Sequence, residues 1–290
     1  MADFARVRQV RAKDPSSIAR YLESRSRRQL LLGDDRLLII AADHPARGAL
    51  AVGSDPMAMA SRYDLLRRIV LALSRPGVDG VLGTPDILED LAILGVLDGK
   101  LAVGSMNRGG LRGAVFEMDD RYTAYDVDSM VRSKLDMAKL LVRISLDDPA
   151  TPGALESAAN AVTRSAEMAL PLMIEPFMSH RVNERIVNDF SAEAVITSIA
   201  IASALGASSA YSWLKLPVVP DMERALEATT LPTLLLGGDL NGDAVGTYKL
   251  WGRALALDGV HGLTVGRTLL YPEDGDVAGA VDAAAALVHG

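Results

Sequence analysis

The sequence predicts an α/β protein, a (β/α)8 TIM barrel preceded by a helical extension. Three observations carry that prediction. Short, continuously apolar segments recur along the chain, and continuous rather than alternating apolarity marks parallel strands covered on both faces. Each is followed by a polar or glycine-bearing loop and then by a stretch with helical periodicity, the repeat that builds a parallel sheet. The length of 290 residues suits one barrel of about 250 residues with an addition. A doubly wound open sheet is the alternative topology. No Gly-x-Gly-x-x-Gly joins the first strand to its helix, which argues against dinucleotide binding.

Taken in order, the chain reads as one domain, residues 1–290, with residues 1–36 as the extension. Pro15-Ser-Ser followed by Ile18, Tyr21, Leu22 and Leu30 predicts a capped amphipathic helix over about 15–31, covering one end of the barrel. The predicted strands centre on Ile40, Val81, Val103, Leu141, Ile174, Leu214, Leu235 and Val265. The predicted helices fall at about 56–74, 86–95, 125–137, 154–168, 191–204, 219–228, 241–256 and 273–288.

Composition narrows the function. The formal charge of -7 is spread along the chain and the one basic block is Arg25 to Arg28, so a nucleic-acid partner is not expected. There are no cysteines, which removes disulfides, thiolate nucleophiles and cysteine-ligated metals. No apolar run reaches roughly 18 residues and no leader-like N-terminus is present. The expectation is therefore a cytoplasmic protein without a membrane partner. The four histidines are scattered without ligand spacing, so no metal and no cofactor are expected. A divalent ion held by Asp43, Glu175 and Asp239 is the competing arrangement.

In a barrel, reactive groups sit at the C-terminal strand ends and in the loops that follow. Those places hold Asp43 and His44, Asn107 and Arg108, Arg143 with Asp147 and Asp148, then Glu175, Lys215, Gly237-Gly238-Asp239 and Gly266-Arg267. Ser208-Ser-Ala-Tyr-Ser-Trp-Leu-Lys-Leu-Pro217 reads as a buried strand with Lys215 near its end. Burial disfavours an ammonium, so such a lysine has a lowered pKa and its neutral amine can attack a carbonyl. The alternative is a lysine whose stem lies on apolar surface while its head reaches water. Asp43 and Glu175 converging on the same mouth favour the reactive lysine. Gly237, Gly238, Gly266 and Arg267 follow the seventh and eighth strands, where barrels often hold a phosphate; glycine admits close backbone approach and arginine adds a forked pair of bonds.

These strand ends also carry a resemblance. Ala42-Asp-His-Pro-Ala-Arg-Gly48, Asp119-Asp-Arg-Tyr-Thr123, Ala138-Lys-Leu-Leu-Val142, Ile174-Glu-Pro176, Trp213-Leu-Lys215 and Val265-Gly-Arg267 resemble the class I, Schiff-base aldolases of bacterial sugar catabolism. The similar groups are tagatose-bisphosphate, sulfofructose-phosphate and archaeal-type fructose-bisphosphate aldolases and the actinobacterial aldolase-like proteins of inositol catabolism. The likeness spans about residues 35–275. It implies Lys215 as the Schiff-base lysine, Glu175 as the proton shuttle and Asp43 facing the hydroxyl at the broken bond. A supporting cation is implied at Lys139, or at Arg143 on the same strand face. The first loop departs from many relatives in carrying His44-Pro45. The implied activity is metal-free cleavage of a phosphorylated ketose or keto-sugar acid to dihydroxyacetone phosphate and an aldehyde. The favoured substrate is 6-phospho-5-dehydro-2-deoxygluconate; tagatose, fructose or sulfofructose phosphates, or a non-catalytic sugar-phosphate-binding barrel, are the alternatives. A dry pocket is expected to raise the Glu175 pKa, and the barrel is expected to form a homo-oligomer.

Overall fold

A computed structural model describes residues 3–107, 109–183, 185–238 and 244–290. The strands are β1 (Leu37–Ala41), β2 (Gly80–Gly83), β3 (Leu101–Ser105), β4 (Met137–Ile144), β5 (Leu172–Val182), β6 (Arg185–Asn188), β7 (Ser212–Leu216), β8 (Thr233–Leu236) and β9 (Val260–Val265). Eight of them pair in parallel in the order β4-β3-β2-β1-β9-β8-β7-β5, and β4 pairs with β5 to close the barrel. The short strand β6 stands outside it, running back antiparallel along the end of β5 from Val182↔Arg185 to Ser179↔Asn188.

The continuous apolarity of β1 now has its physical cause. Leu37, Ile39 and Ala41 point into the barrel, where they meet Val103, Met137, Met173 and Leu234. Leu38 and Ile40 point outward into the layer between sheet and helices. That layer is covered by α3 (Arg62–Leu73), α4 (Pro85–Ile93), α5 (Val127–Arg132), α6 (Thr151–Glu167), α7 (Ala192–Ser203), α8 (Met222–Leu226), α9 (Ala244–Leu255), α10 (Arg267–Leu270) and α11 (Val277–His289). Side-chain caps start several of these helices: Ser61, Asp126, Ser191 and Asp276 accept backbone N–H groups at the first turn.

The N-terminal segment departs from the helix expected over 15–31. Two helices form, α1 (Phe4–Lys13) and α2 (Ser17–Glu23), and α1 docks on α4 through Arg11, 2.7 Å from Asp90 and 3.0 Å from Glu89. Beyond Ser24 the chain leaves the helix because its arginines are drawn to the N-terminal end of the barrel. Arg25, almost wholly buried, lies 2.7 Å from Asp136 and donates to the carbonyl of Lys100 at 3.1 Å. Arg27 reaches the same Asp136 at 2.8 Å and Arg28 pairs with Asp79. Asp136 and Asp79 accept in turn from the backbone N–H groups of Ala102 and Leu38 at the feet of β3 and β1. Leu30 and Leu31 then pack against the barrel interior. The basic block thus closes the barrel floor.

Candidate active site

Side chains alternate in and out along a strand, so the inward phase fixes which residues meet above the apolar floor. On β4 that phase is Met137, Lys139, Leu141 and Arg143; on β5 it is Met173, Glu175 and Phe177; on β7 it is Trp213 and Lys215. Asp43 follows the inward Ala41 two residues on. Lys139, Glu175, Lys215 and Asp43 are all buried.

They form one chain of ionic contacts. Lys139 Nζ lies 2.9 Å from Asp43 Oδ2 and 2.6 Å from Glu175 Oε2. Lys215 Nζ lies 2.9 Å from the other Glu175 oxygen. Asp43 Oδ2 also accepts from Arg47 at 3.1 Å and from the Ser105 hydroxyl at 3.2 Å. Alternating charges explain why four ionisable side chains tolerate burial together, since each removed from water has an opposite partner within hydrogen-bond reach.

The ionisation states follow from the same contacts. Burial pulls the Lys215 amine below the usual lysine value; Glu175 opposes this, Lys139 adds to it, and the net direction is down. Burial alone would raise the Glu175 carboxyl, but Lys139 and Lys215 outweigh it and hold it down to about 2. The raised value expected for Glu175 is therefore corrected: the acid is buried, but Lys139 and Lys215 flank it. Asp43 is likewise held well below the usual carboxylate range: burial would raise it, but the cations around it, Lys139 first and Arg47 next, outweigh that.

Strand stagger brings Lys139, and not Arg143, into contact with Asp43 and Glu175. Lys139 is near the start of β4, yet it pairs in register with Ser105, the last residue of β3. The tilt of a closed barrel sets β4 higher than its position along the chain suggests. Arg143, two repeats of the pleat further up, is bound elsewhere. Its guanidinium contacts Asp120 at 2.8 Å and Glu117 at 3.2 Å, and its backbone N–H donates to Asp120 at 2.8 Å. Arg143 thereby ties the long β3–α5 loop to the mouth while still lining it.

The cluster opens into a cavity of about 710 Å3. Its walls include His44, Arg47, Arg112, Lys215 and Arg267, and on one side Phe177, Ile186, Val187 and Phe190 from the β5–β6 hairpin. The Phe177 and Phe190 rings meet edge to face at 6.0 Å. A second cavity, of about 640 Å3, lies at the opposite end around Thr233 and His261 and holds no lysine.

Of the other predicted site residues, Gly237, Gly238, Gly266 and Arg267 all line the main cavity. Gly237 and Gly266 are required by packing: a Cβ would stand 2.5 Å from Val265 Cγ1 and 2.4 Å from the Ala41 carbonyl oxygen, respectively. Gly238 adopts φ +65 in open space, a backbone conformation that glycine favours. Arg267 donates to the Ala51 carbonyl at 3.5 Å. Asp148 faces Arg181 at 3.4 Å instead of the cavity; Asp147 and Asn107 also stand outside its walls. Arg108 and Asp239 lie outside the described residues. Among the described residues no three His, Asp or Glu side chains converge as a metal site. Sequence reading did not assign Arg47 or the β5–β6 hairpin. Arg47 stands four residues after Asp43, one turn along a 3-10 segment His44–Arg47, a spacing that could have revealed it.

The closed parallel barrel is of the (β/α)8 class, and solved fructose-1,6-bisphosphate aldolases share its fold. A Schiff-base-forming fructose-1,6-bisphosphate aldolase has a TM-score of 0.66 at 20% identity, with 94% of this chain and 100% of that chain covered. An archaeal fructose-1,6-bisphosphate aldolase, solved with its catalytic lysine bound to a carbinolamine intermediate, gives 0.65 at 19% identity over 94% and 100%. More specifically, the chain belongs to the Cgl0159-like family, which it matches over residues 35–285. It is 61% identical to Cgl0159 from Corynebacterium glutamicum, with a TM-score of 0.97 and 99% and 96% of the two chains covered. No curated protein matches. Among the described residues no helix is long and apolar enough to cross a membrane.

Proposed function

We propose that this protein is a class I aldolase that cleaves a phosphorylated ketose or keto-sugar acid through an imine on Lys215. The observation that carries the reading is Lys215 itself, a buried lysine at the C-terminal mouth, depressed in pKa and 2.9 Å from Glu175. A lysine that titrates below its usual value presents more free amine near neutrality.

In this mechanism Lys215 passes a proton to Glu175 and attacks the substrate ketone. Loss of one flanking positive charge raises the Glu175 pKa from its resting value, so the acid that accepted the proton can return it to the departing hydroxyl as the imine forms. The protonated imine then draws electrons from the adjacent C–C bond. Asp43 accepts the proton of the hydroxyl that becomes the aldehyde. Its depressed pKa makes it a weak base at rest, and the iminium offsets this by acidifying that hydroxyl. Lys139 keeps both carboxylates ionised and in register.

Gly237, Gly238, Gly266 and Arg267 are the proposed phosphate contacts, supported by their common place on the cavity wall beyond the last two barrel strands. The favoured substrate is 6-phospho-5-dehydro-2-deoxygluconate, on the resemblance to inositol-catabolism proteins; the arginine-rich wall suits a ligand anionic at more than one position. Borohydride added with dihydroxyacetone phosphate should attach a reduced three-carbon phosphate to the peptide holding Lys215, and Lys215→Met should abolish it. Labelling at Lys139, or no labelling, would refute the mechanism. A panel of 6-phospho-5-dehydro-2-deoxygluconate and tagatose, fructose and sulfofructose phosphates then selects the substrate.

A further inference from the structure

We propose that His44, together with the outer oxygen of Asp43, forms the subsite for the hydroxyl at the bond being broken. This rests on the aldolase reading and adds a residue that the reading leaves without a role.

Two buried atoms in this corner have no hydrogen-bond partner among the described residues, Asp43 Oδ1 and His44 Nδ1. They stand 3.7 Å apart. That is too far for a hydrogen bond between them, and close enough for one hydroxyl oxygen to reach both at about 2.8 Å. Buried polar groups are seldom left unpaired, so the pair marks a place for a ligand group. The other Asp43 oxygen is already committed to Lys139, Arg47 and Ser105. Oδ1, buried beside it, has no hydrogen-bond partner among the described residues and keeps its lone pairs for a proton. His44 lines the cavity, as does Thr264, whose hydroxyl also lacks a partner among the described residues. The wall built by β1 and β9 therefore offers unsatisfied hydrogen-bonding atoms to a polyhydroxylated ligand.

The imidazole is neutral. Burial, followed by Arg47, Arg267 and Lys215, outweighs Asp43 and brings its pKa to about 3. With its single proton on Nδ1, His44 donates to the substrate hydroxyl oxygen while that hydroxyl donates to Asp43 Oδ1. In the cleavage step the O–H bond breaks and its proton moves to Asp43. The oxygen becomes the aldehyde carbonyl, and the C–C electron pair moves to the iminium, leaving an enamine on Lys215. His44 holds the oxygen throughout and is not itself the base. The ligand class is a β-hydroxy ketone phosphate; a substrate lacking that hydroxyl would leave both atoms unsatisfied.

The test compares wild type, His44→Leu and His44→Asn, whose amide nitrogen can replace the Nδ1 donor. One readout is borohydride trapping of dihydroxyacetone phosphate, which carries no hydroxyl at the broken bond. The other is kcat for cleavage of 6-phospho-5-dehydro-2-deoxygluconate, with fructose 1,6-bisphosphate as second probe. All three proteins should be trapped on Lys215. His44→Leu should lower kcat by roughly 10- to 100-fold, the range for one hydrogen bond to a charged or developing charged group, and His44→Asn should stay within about tenfold of wild type. Unchanged cleavage by His44→Leu overturns the proposal. So does parallel loss of trapping and cleavage in both variants, which would make His44 part of the scaffold. Absence of trapping in the wild type overturns the aldolase reading, and this proposal with it.

Discussion

Replacing Lys139 by methionine removes one ammonium and leaves two buried carboxylates without their shared partner. Lys139 lies 2.9 Å from Asp43 and 2.6 Å from Glu175 and its side chain is 2% exposed, so water cannot take its place. Breaking one partner out of a buried ionic group costs about 3–5 kcal/mol. The acid side gives a consistent figure. Glu175 is held from its usual 4.5 down to about 2, worth about 3 kcal/mol at 1.36 kcal/mol per unit, and Lys139 is the larger of the two cations responsible. A depressed folded pKa contributes stability that is complete above the unfolded value and is lost as pH falls through the folded one. The wild-type contribution is therefore intact at pH 7 and declines below about 4.5. In Lys139→Met the carboxyls rise toward neutrality and take up protons on folding as the pH falls. Urea unfolding should show a loss of about 3–5 kcal/mol at pH 7 that narrows by pH 5. A loss below about 1 kcal/mol, or one independent of pH, would refute the charge-chain argument.

Glu175→Gln keeps the shape of the side chain and removes its proton transfer, so kcat should fall by roughly 100-fold or more with little change in KM, measured in steady-state cleavage. An unaltered kcat would leave Glu175 a purely structural partner of the lysines. Arg267→Ala should raise KM for phosphorylated substrates by roughly 10- to 150-fold and leave unphosphorylated analogues nearly untouched; equal losses for both would place the phosphate elsewhere. Activity should survive exhaustive chelation, because the Lys139 ammonium already occupies the position between Asp43 and Glu175 and the iminium supplies the polarisation. Loss of turnover restored by zinc or manganese would put the reaction in the metal-dependent class.

The sequence by itself determined the barrel, because that information is local and periodic. Leu37–Ala41 and its counterparts are apolar at every position, since a parallel strand buries both faces, and the polar residues that end such runs mark the mouth. It also determined the chemical types at the strand ends, including Lys215 and Glu175. Three things were decided only by tertiary structure. Barrel stagger lifts Lys139 level with the end of β3 and sends Arg143 to Asp120 and Glu117, and no local pattern encodes the register between strands. The direction of the Glu175 shift depends on two lysines brought to it from β4 and β7, so burial read from sequence gave the opposite sign. The basic run at Arg25–Arg28 reads along the chain only as a patch of charge. Its role at the barrel floor exists because Asp79 and Asp136, far away in sequence, are folded beneath it. Periodicity is carried by neighbours along the chain, whereas pairing and electrostatics depend on residues that only closure of the barrel brings together.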